Sequence, residues 1–304
     1  MRVFLAGATG VIGTPLVPQL LEAGHEVTAM TRSVERAAQL DAIGAHPVVC
    51  DVFDAGRVRA AMAGAAPEAV IHQLTSLPAR LDWADPGTFA ANNRVRTEGT
   101  RVLVAAARAA GACRVVAQSI AFAYAPTGDR VKDEDAPLFT GAPPPLDGTV
   151  AAVVEHERLV TRTAGIDGLV LRYGMLYGPG TYHDRHGSTA ADILAGRVPL
   201  VEGATGMYSW LHVDDAAAAA VAAVERGAPG IYNVVDDEPA PQPEWLPVLA
   251  RALGAAPPRA AQVRPSPDAP EMSLRGASNA KAKRELAWRP RYASWREGFA
   301  ANLA

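Results

Sequence analysis

The chain has 304 residues, 49% of them apolar and 20% charged, with a formal net charge of −3. That composition suits one large or two small globular units with a sizeable core, and it offers no basic field for nucleic acid or an anionic membrane surface. No run approaches the ~20 apolar residues that span a bilayer. The apolar start, residues 1–13, is interrupted by glycines and shows no cleavage pattern, while Cys50 and Cys113 lack metal-ligand spacing. The expected setting is therefore cytoplasmic, with two buried free thiols and no metal site.

Short apolar runs alternate with helical patterns. A buried strand is predicted at 2–6, a helix at 15–23 stopped by Gly24, a strand at 26–30, and a helix from its cap Ser33 through Leu40. Next come a strand at 47–50, a helix at 57–62, a strand at 69–73, a helix at 97–110 stopped by Gly111, and a strand at 114–118. A long helix at 150–163 and a strand at 168–172 follow. This alternation implies βαβ units in an α/β, Rossmann-like, doubly wound parallel sheet. After about residue 175 the alternation breaks down. Helices at 190–195 and 214–225 and a strand at 230–234 remain readable, and the Pro-rich stretch 257–270 reads as an irregular surface arm. A last helix at 278–286 has Ser278 as its N-cap, with Lys281, Lys283 and Arg284 as a solvated face. The division expected is a dinucleotide domain over 1–175, regaining a strand and a helix from 208–235. A small substrate-binding region over 176–304 would not fold alone.

The segment Gly7-Ala8-Thr9-Gly10-Val11-Ile12-Gly13 leaves the first strand and opens the first helix. One glycine serves the sharp turn, one the approach of a pyrophosphate, and one the helix–strand packing, while the helix N-terminus offers N–H groups to the phosphates. A carboxylate at the end of the second strand would grip the ribose 2′-OH of NAD. Here stand Thr31, Arg32 and Ser33. Arg32 can pair with a 2′-phosphate and the hydroxyls can donate to it, which favours NADP(H) over NAD(H); the bland alternative makes Arg32 an exposed helix-start residue. Asp51 and Val52, ending the third strand, are positioned for the adenine, or Asp51 caps a helix.

With these pieces assembled, the chain resembles the extended short-chain dehydrogenase/reductase superfamily, of the NAD-dependent epimerase/dehydratase type. The motifs are the glycine turn, Gly99-Thr100, 170–174, Tyr177-Gly178-Pro179-Gly180, 211–215, 231–234 and the closing 284–290. The resemblance implies that Tyr173 to Leu176, Met175 among them, line the cofactor and that Leu74 and Thr75 pass beside it. It also implies catalysis by Ser, Tyr and Lys, in which the phenol exchanges a proton with the substrate oxygen under a tuned pKa. Ser119 matches the serine. The Tyr-x-x-x-Lys pair is absent: counting back from Glu157-Arg158-Leu159-Val160 puts Thr149 at the tyrosine position and Val153 at the lysine position. The family's asparagine is here Arg96, with Asn92 and Asn93 one turn earlier as candidate replacements. This identifies the chain as an atypical member.

Tyr124, on the loop after the fifth strand, is the first candidate for a substitute phenol, against packing alone. His156 reads as a solvated helix-face residue. Tyr182, His183 and His186 lie on a loop that borders the substrate in the family, and Tyr208 and Trp210 read as pocket walls or core. His212 belongs to a structural motif of the family. Two readings of function follow. The first is an NADP(H)-dependent oxidoreductase, or related epimerase or lyase, acting on a small organic molecule through a non-standard site. The alternative is a non-catalytic NADP(H)-binding protein that senses redox state or binds a partner. The family also suggests a homodimer through the two long helices.

Overall fold

The computed structural model describes residues 1–82, 85, 87–144, 146–261, 265–267 and 269–303. Seven parallel strands form the central sheet in the order β11-β7-β5-β4-β1-β2-β3. They are β1 (Arg2–Ala6), β2 (Glu26–Thr31), β3 (His46–Val49), β4 (Ala69–His72), β5 (Arg114–Ile120), β7 (Asp167–Tyr173) and β11 (Gly230–Val234). Short strands elsewhere are β6 (Val131–Lys132), β8 (Met175–Tyr177), β9 (Met207–Tyr208), β10 (Trp210–His212), β12 (Ala240–Pro241) and β13 (Gly276–Ala277). Strand order reverses between β1 and β4, so the ligand crevice opens there, outside the carboxyl ends of the strands.

On one sheet face lie α1 (Gly13–Glu22) and α8 (Val213–Glu225). Leu16, Val17 and Leu20 of α1 share a core with Ala216, Ala219, Ala220 and Ala223 of α8. The alanines carry no bulk beyond Cβ, so α8 lies close on its neighbours. On the other face lie α3 (Ala55–Ala65), α5 (Thr100–Ala109) and α6 (Leu146–Thr161), with Val58, Met62, Leu103, Val104, Ala107 and Val160 in their core. Before α5 the chain runs through α4 (Ala90–Arg94) and a π-helical turn at Val95–Gly99. Neither was legible, because the sequence pattern starts the helix at 97. Such turns recur at functional sites.

The C-terminal layer holds α7 (Ser188–Leu194), α9 (Gln242–Ala252) and α12 (Trp295–Leu303), packed on Tyr177, Trp210 and Trp245. Two of these helices escape a sequence reading for identifiable reasons. Pro243 and Pro247 interrupt the pattern of α9. Gly298 sits mid-way along α12, where a Cβ would stand 1.8 Å from the Tyr177 hydroxyl, so a residue that reads as a stop is a packing requirement.

Several expectations are corrected. Cys113 is exposed, not buried. Asn279, not Ser278, takes the cap position of α11 (Ala280–Glu285), following α10 (Pro270–Ser273), and its amide turns to Val235 O and Asp237. Lys281 and Lys283 are half-buried ties, to Ile231 O and Asp237, rather than a solvated face. The Pro-rich arm is pinned where Leu200 bonds Arg259 O and Ala261 N; residues 262–264 and 268 of it lie outside the described residues.

Candidate active site

The turn after β1 is fixed by sterics. Gly7 has φ +96°, and a Cβ on it would lie 2.7 Å from the Gln73 carbonyl carbon; a Cβ on Gly13 would lie 2.0 Å from Gly7 O. No side chain fits either position. Gly10 N–H donates to Gly7 O at 3.0 Å, closing the turn at the surface, while Ile12 is buried and anchors the start of α1. Val11 and Thr9 flank it at the rim, and Leu74 N lies 3.0 Å from the Gly7 Cβ position, with Thr75 exposed beside it. This glycine cradle at a helix N-terminus fits a pyrophosphate.

At the end of β2, Thr31 is buried and its hydroxyl accepts from Ser33 N at 3.2 Å and meets Thr9 Oγ1 at 3.5 Å. Ser33 Oγ caps α2 (Val34–Ala42) by accepting from Arg36 N and donates to Glu35. Both hydroxyls are thus engaged within the turn. Arg32 is exposed and has no hydrogen bond or ion pair among the described residues. A second cation that the sequence reading missed, Arg36, reaches back to Thr9 O at 2.9 Å. Asp51 closes a turn on Phe53 N and Asp54 caps α3, which removes the alternative of Asp51 as helix cap; Val52 is buried under Gly99.

The wall made by α4, the π turn and α6 holds Thr149 and Val153, the positions at which the family's Tyr and Lys are expected. Thr149 is buried and its hydroxyl lies 3.5 Å from Asn93 Nδ2. Val153 is fully buried beside Ile120, Ala123 and Val150. Ser119 is fully buried too, and it donates to Glu157 at 2.8 Å instead of facing the crevice. Glu157 also receives both Nε and Nη2 of Arg172, at 2.8 and 2.6 Å.

Tyr124 is corrected by the same network. Its phenol donates to Asn233 Oδ1 at 2.7 Å and accepts from Arg172 at 2.9 Å, and burial raises its pKa, opposite to what an acid requires. His156 is likewise not solvated. It lies between Thr100 Oγ1 (2.7 Å) and Gln118 O (2.9 Å), and burial, helped by Arg96, lowers its pKa to about 4.

On the C-terminal side, Tyr173 is buried with its hydroxyl between Gln73 and Ala216 O, and Met175 is half-buried. Tyr182 donates to Pro78 O at 2.6 Å, tying its loop to the one after β4. His183 bonds Leu176 O and meets Trp210 edge-to-face, and burial lowers its pKa to about 4, so it is neutral near pH 7. Tyr208 packs edge-to-face on Trp245. Trp210 is fully buried among Tyr177, Trp245 and Phe299, a core residue and no pocket wall. His212 caps α8 and meets Asn302, a structural role. Among the described residues no cluster of three metal-ligating side chains occurs, and no helix is long and apolar enough to cross a membrane.

The model of the NAD-dependent epimerase/dehydratase family matches residues 3–234. The chain belongs to that family. It is 52% identical over 310 residues to a 3-diazoavenalumate denitrifying reductase from a Streptomyces species, covering 98% of this chain and 99% of that protein. The UDP-glucose 4-epimerase of Thermotoga maritima, 20% identical, shares the fold with a TM-score of 0.80 over 100% of this chain and 97% of that one. The UDP-glucose 4-epimerase of Thermus thermophilus, solved in complex with NAD, is 26% identical with a TM-score of 0.75, over 100% and 98%. This family member is an NAD(P)-dependent enzyme of the oxidoreductase type, and the reading as a non-catalytic binding protein falls away.

Proposed function

We propose that this enzyme is an NADP(H)-dependent reductase that replaces the diazo group of a small organic acid, in its diazonium form, by hydrogen, with loss of dinitrogen. The observation that carries the reading is that, among the described residues, the expected proton donors of the wall are replaced or engaged elsewhere. Thr149 and Val153 stand where the family's acid and its lysine are expected, Ser119 is turned onto Glu157, and the Tyr124 phenol is closed by two partners. Reduction of a carbonyl needs a proton delivered to the nascent alkoxide. Exchange of a diazonium group for hydrogen does not: one hydride joins the carbon, and dinitrogen leaves with the electrons of the C–N bond. The end-to-end similarity to a reductase named for this chemistry supports the same reading.

A bound nicotinamide would supply the hydride. The chain's own residues hold and orient. The turn from Gly7 to Gly13 and the first N–H groups of α1 would take the pyrophosphate. Unpaired Arg32, and Arg36 one turn on and bonded to Thr9 O, would be the cations to hold a 2′-phosphate, which supports NADP(H). Leu74 and the wall at Asn93 and Thr149 border the crevice, and the Tyr182–Pro78 tie closes its outer side.

Two assays test this. NADPH oxidation with 3-diazoavenalumate should release one dinitrogen per cofactor; oxidation with ketones and none with the diazo acid would contradict the reaction. Arg32→Ala should weaken NADPH about tenfold and leave NADH unchanged, the effect of one charged hydrogen bond; equal affinities in the wild type would contradict the cofactor preference.

A further inference from the structure

Arg96 is 5% exposed, and its Nε is buried without a hydrogen-bond partner. None of its guanidinium nitrogens has a hydrogen bond or ion pair among the described residues. The nearest acid that it senses is Glu157, which Arg172 and Ser119 already occupy. The two histidines that sense Arg96, His72 and His156, are held neutral by burial and by that cation, with His156 at about 4. Tyr124 is held protonated by burial. Of the two cations near Glu157, Arg172 holds it directly, while Arg96 is left without a direct partner among the described residues; Glu134 lies beyond, next to Tyr124 and Arg172. A buried charge without a partner is costly.

Its placement faces the chemistry. Asn93 Nδ2 meets Thr149 Oγ1, and Thr100 meets His156, each pair 56 positions apart, so the two helical segments run in parallel register. Arg96, one turn after Asn93, thereby stands level with Ala152 and Val153, where the family's lysine is expected. The π-helical turn at Val95–Gly99 presents it there, and neighbouring Asn92 holds Ser76 N of the loop after β4. Asn93 Oδ1 is a second buried polar atom without a partner, one turn from Arg96.

We propose that Arg96 is the anchor for the carboxylate of the substrate, held in the crevice beside Asn93 and Thr149. The planar guanidinium matches a carboxylate in two parallel hydrogen bonds and needs no change of protonation to do so. The assignment rests on the proposed reading for its ligand, a small organic acid, but not on the diazo chemistry. An oxyanion of the cofactor is the other source of the same chemistry.

The test uses binding, not turnover. Cinnamate and its neutral amide, cinnamamide, are titrated into wild type, Arg96→Met and Arg96→Lys, each saturated with NADP+, and NADP+ itself is titrated into each. The expected result is cinnamate bound at least about tenfold more tightly than cinnamamide by wild type. Arg96→Met erases that preference with NADP+ affinity unchanged, and Arg96→Lys restores part of it. Ligand-free Arg96→Met should melt at or above the wild-type temperature, since an unpaired buried charge has been removed. No preference for the acid in wild type, no binding of it, or a preference that survives in Arg96→Met would overturn the proposal. So would a loss of NADP+ affinity with cinnamate binding intact, which assigns the cation to the cofactor. Failure of the enzyme to release dinitrogen would leave this result standing.

Discussion

The glycine turn after β1 and the wall formed by α4, the π turn and α6 border the same crevice, but different physics builds them. The turn is a backbone structure: Gly7 and Gly13 are dictated by carbonyl groups 2.7 and 2.0 Å from where a Cβ would sit. The wall is built from buried polar side chains whose partners come from distant strands, with Glu157 joining Ser119 to Arg172 and His156 joining Thr100 to β5. Backbone sterics tolerate no exchange of residues. A polar network can exchange members and settle on other partners.

The largest effect expected is in the wall. Glu157→Ala leaves Arg172 buried without its acid, and breaking such a pair costs about 3–5 kcal/mol, which urea denaturation would read. A loss below about 1 kcal/mol would mean that the network does not hold the wall. Gly13→Ala tests the turn. Its Cβ must displace Gly7 O or shift α1, at about 1–3 kcal/mol, and NADPH affinity should fall together with stability. Retained affinity would break the claim that the turn alone shapes the cradle.

A pH profile distinguishes both from the C-terminal layer. Asp236 accepts from Trp295 N at 2.8 Å, and burial raises its pKa to about 8 from an ordinary 3.8. The folded state thus binds that proton more tightly than the unfolded chain does. Its stabilisation is complete below about pH 4 and is lost as pH rises through about 8. Melting temperature should fall over that window, by roughly 2–4 °C per kcal/mol, and Asp236→Asn should flatten the slope. A profile equally steep in the variant would remove Asp236 as the cause. The smallest effect is expected at Thr149. Thr149→Val should leave turnover within about twofold, whereas removal of a general acid costs roughly 10²–10⁴-fold.

The same contrast explains what the sequence disclosed. The glycine turn, Ser33 as a helix cap and the parallel, doubly wound sheet were legible because each depends on local spacing or on a rule of chain topology. The wall was not. Tyr124 passes for a free phenol until Asn233 and Arg172, 109 and 48 residues away, are seen to close it. His156 was misplaced for the same reason, and Trp210 could not be assigned between wall and core, since burial is set by elements far along the chain. Arg96 was visible only as a departure from an asparagine. Its isolation as a cation emerges only when Glu157 is found occupied.

The central claim is that this site reduces without giving its substrate a proton. The direct measurement uses NADPH deuterated at its transferable position, with 3-diazoavenalumate in ordinary water, and the reverse labelling with NADPH in deuterated water. The account predicts one deuterium from the cofactor at the carbon that lost nitrogen, none from solvent at that carbon, and a rate without a titrating acid limb near neutral pH. Deuterium from solvent at that carbon, or a rate that falls with the deprotonation of one essential acid, would contradict it.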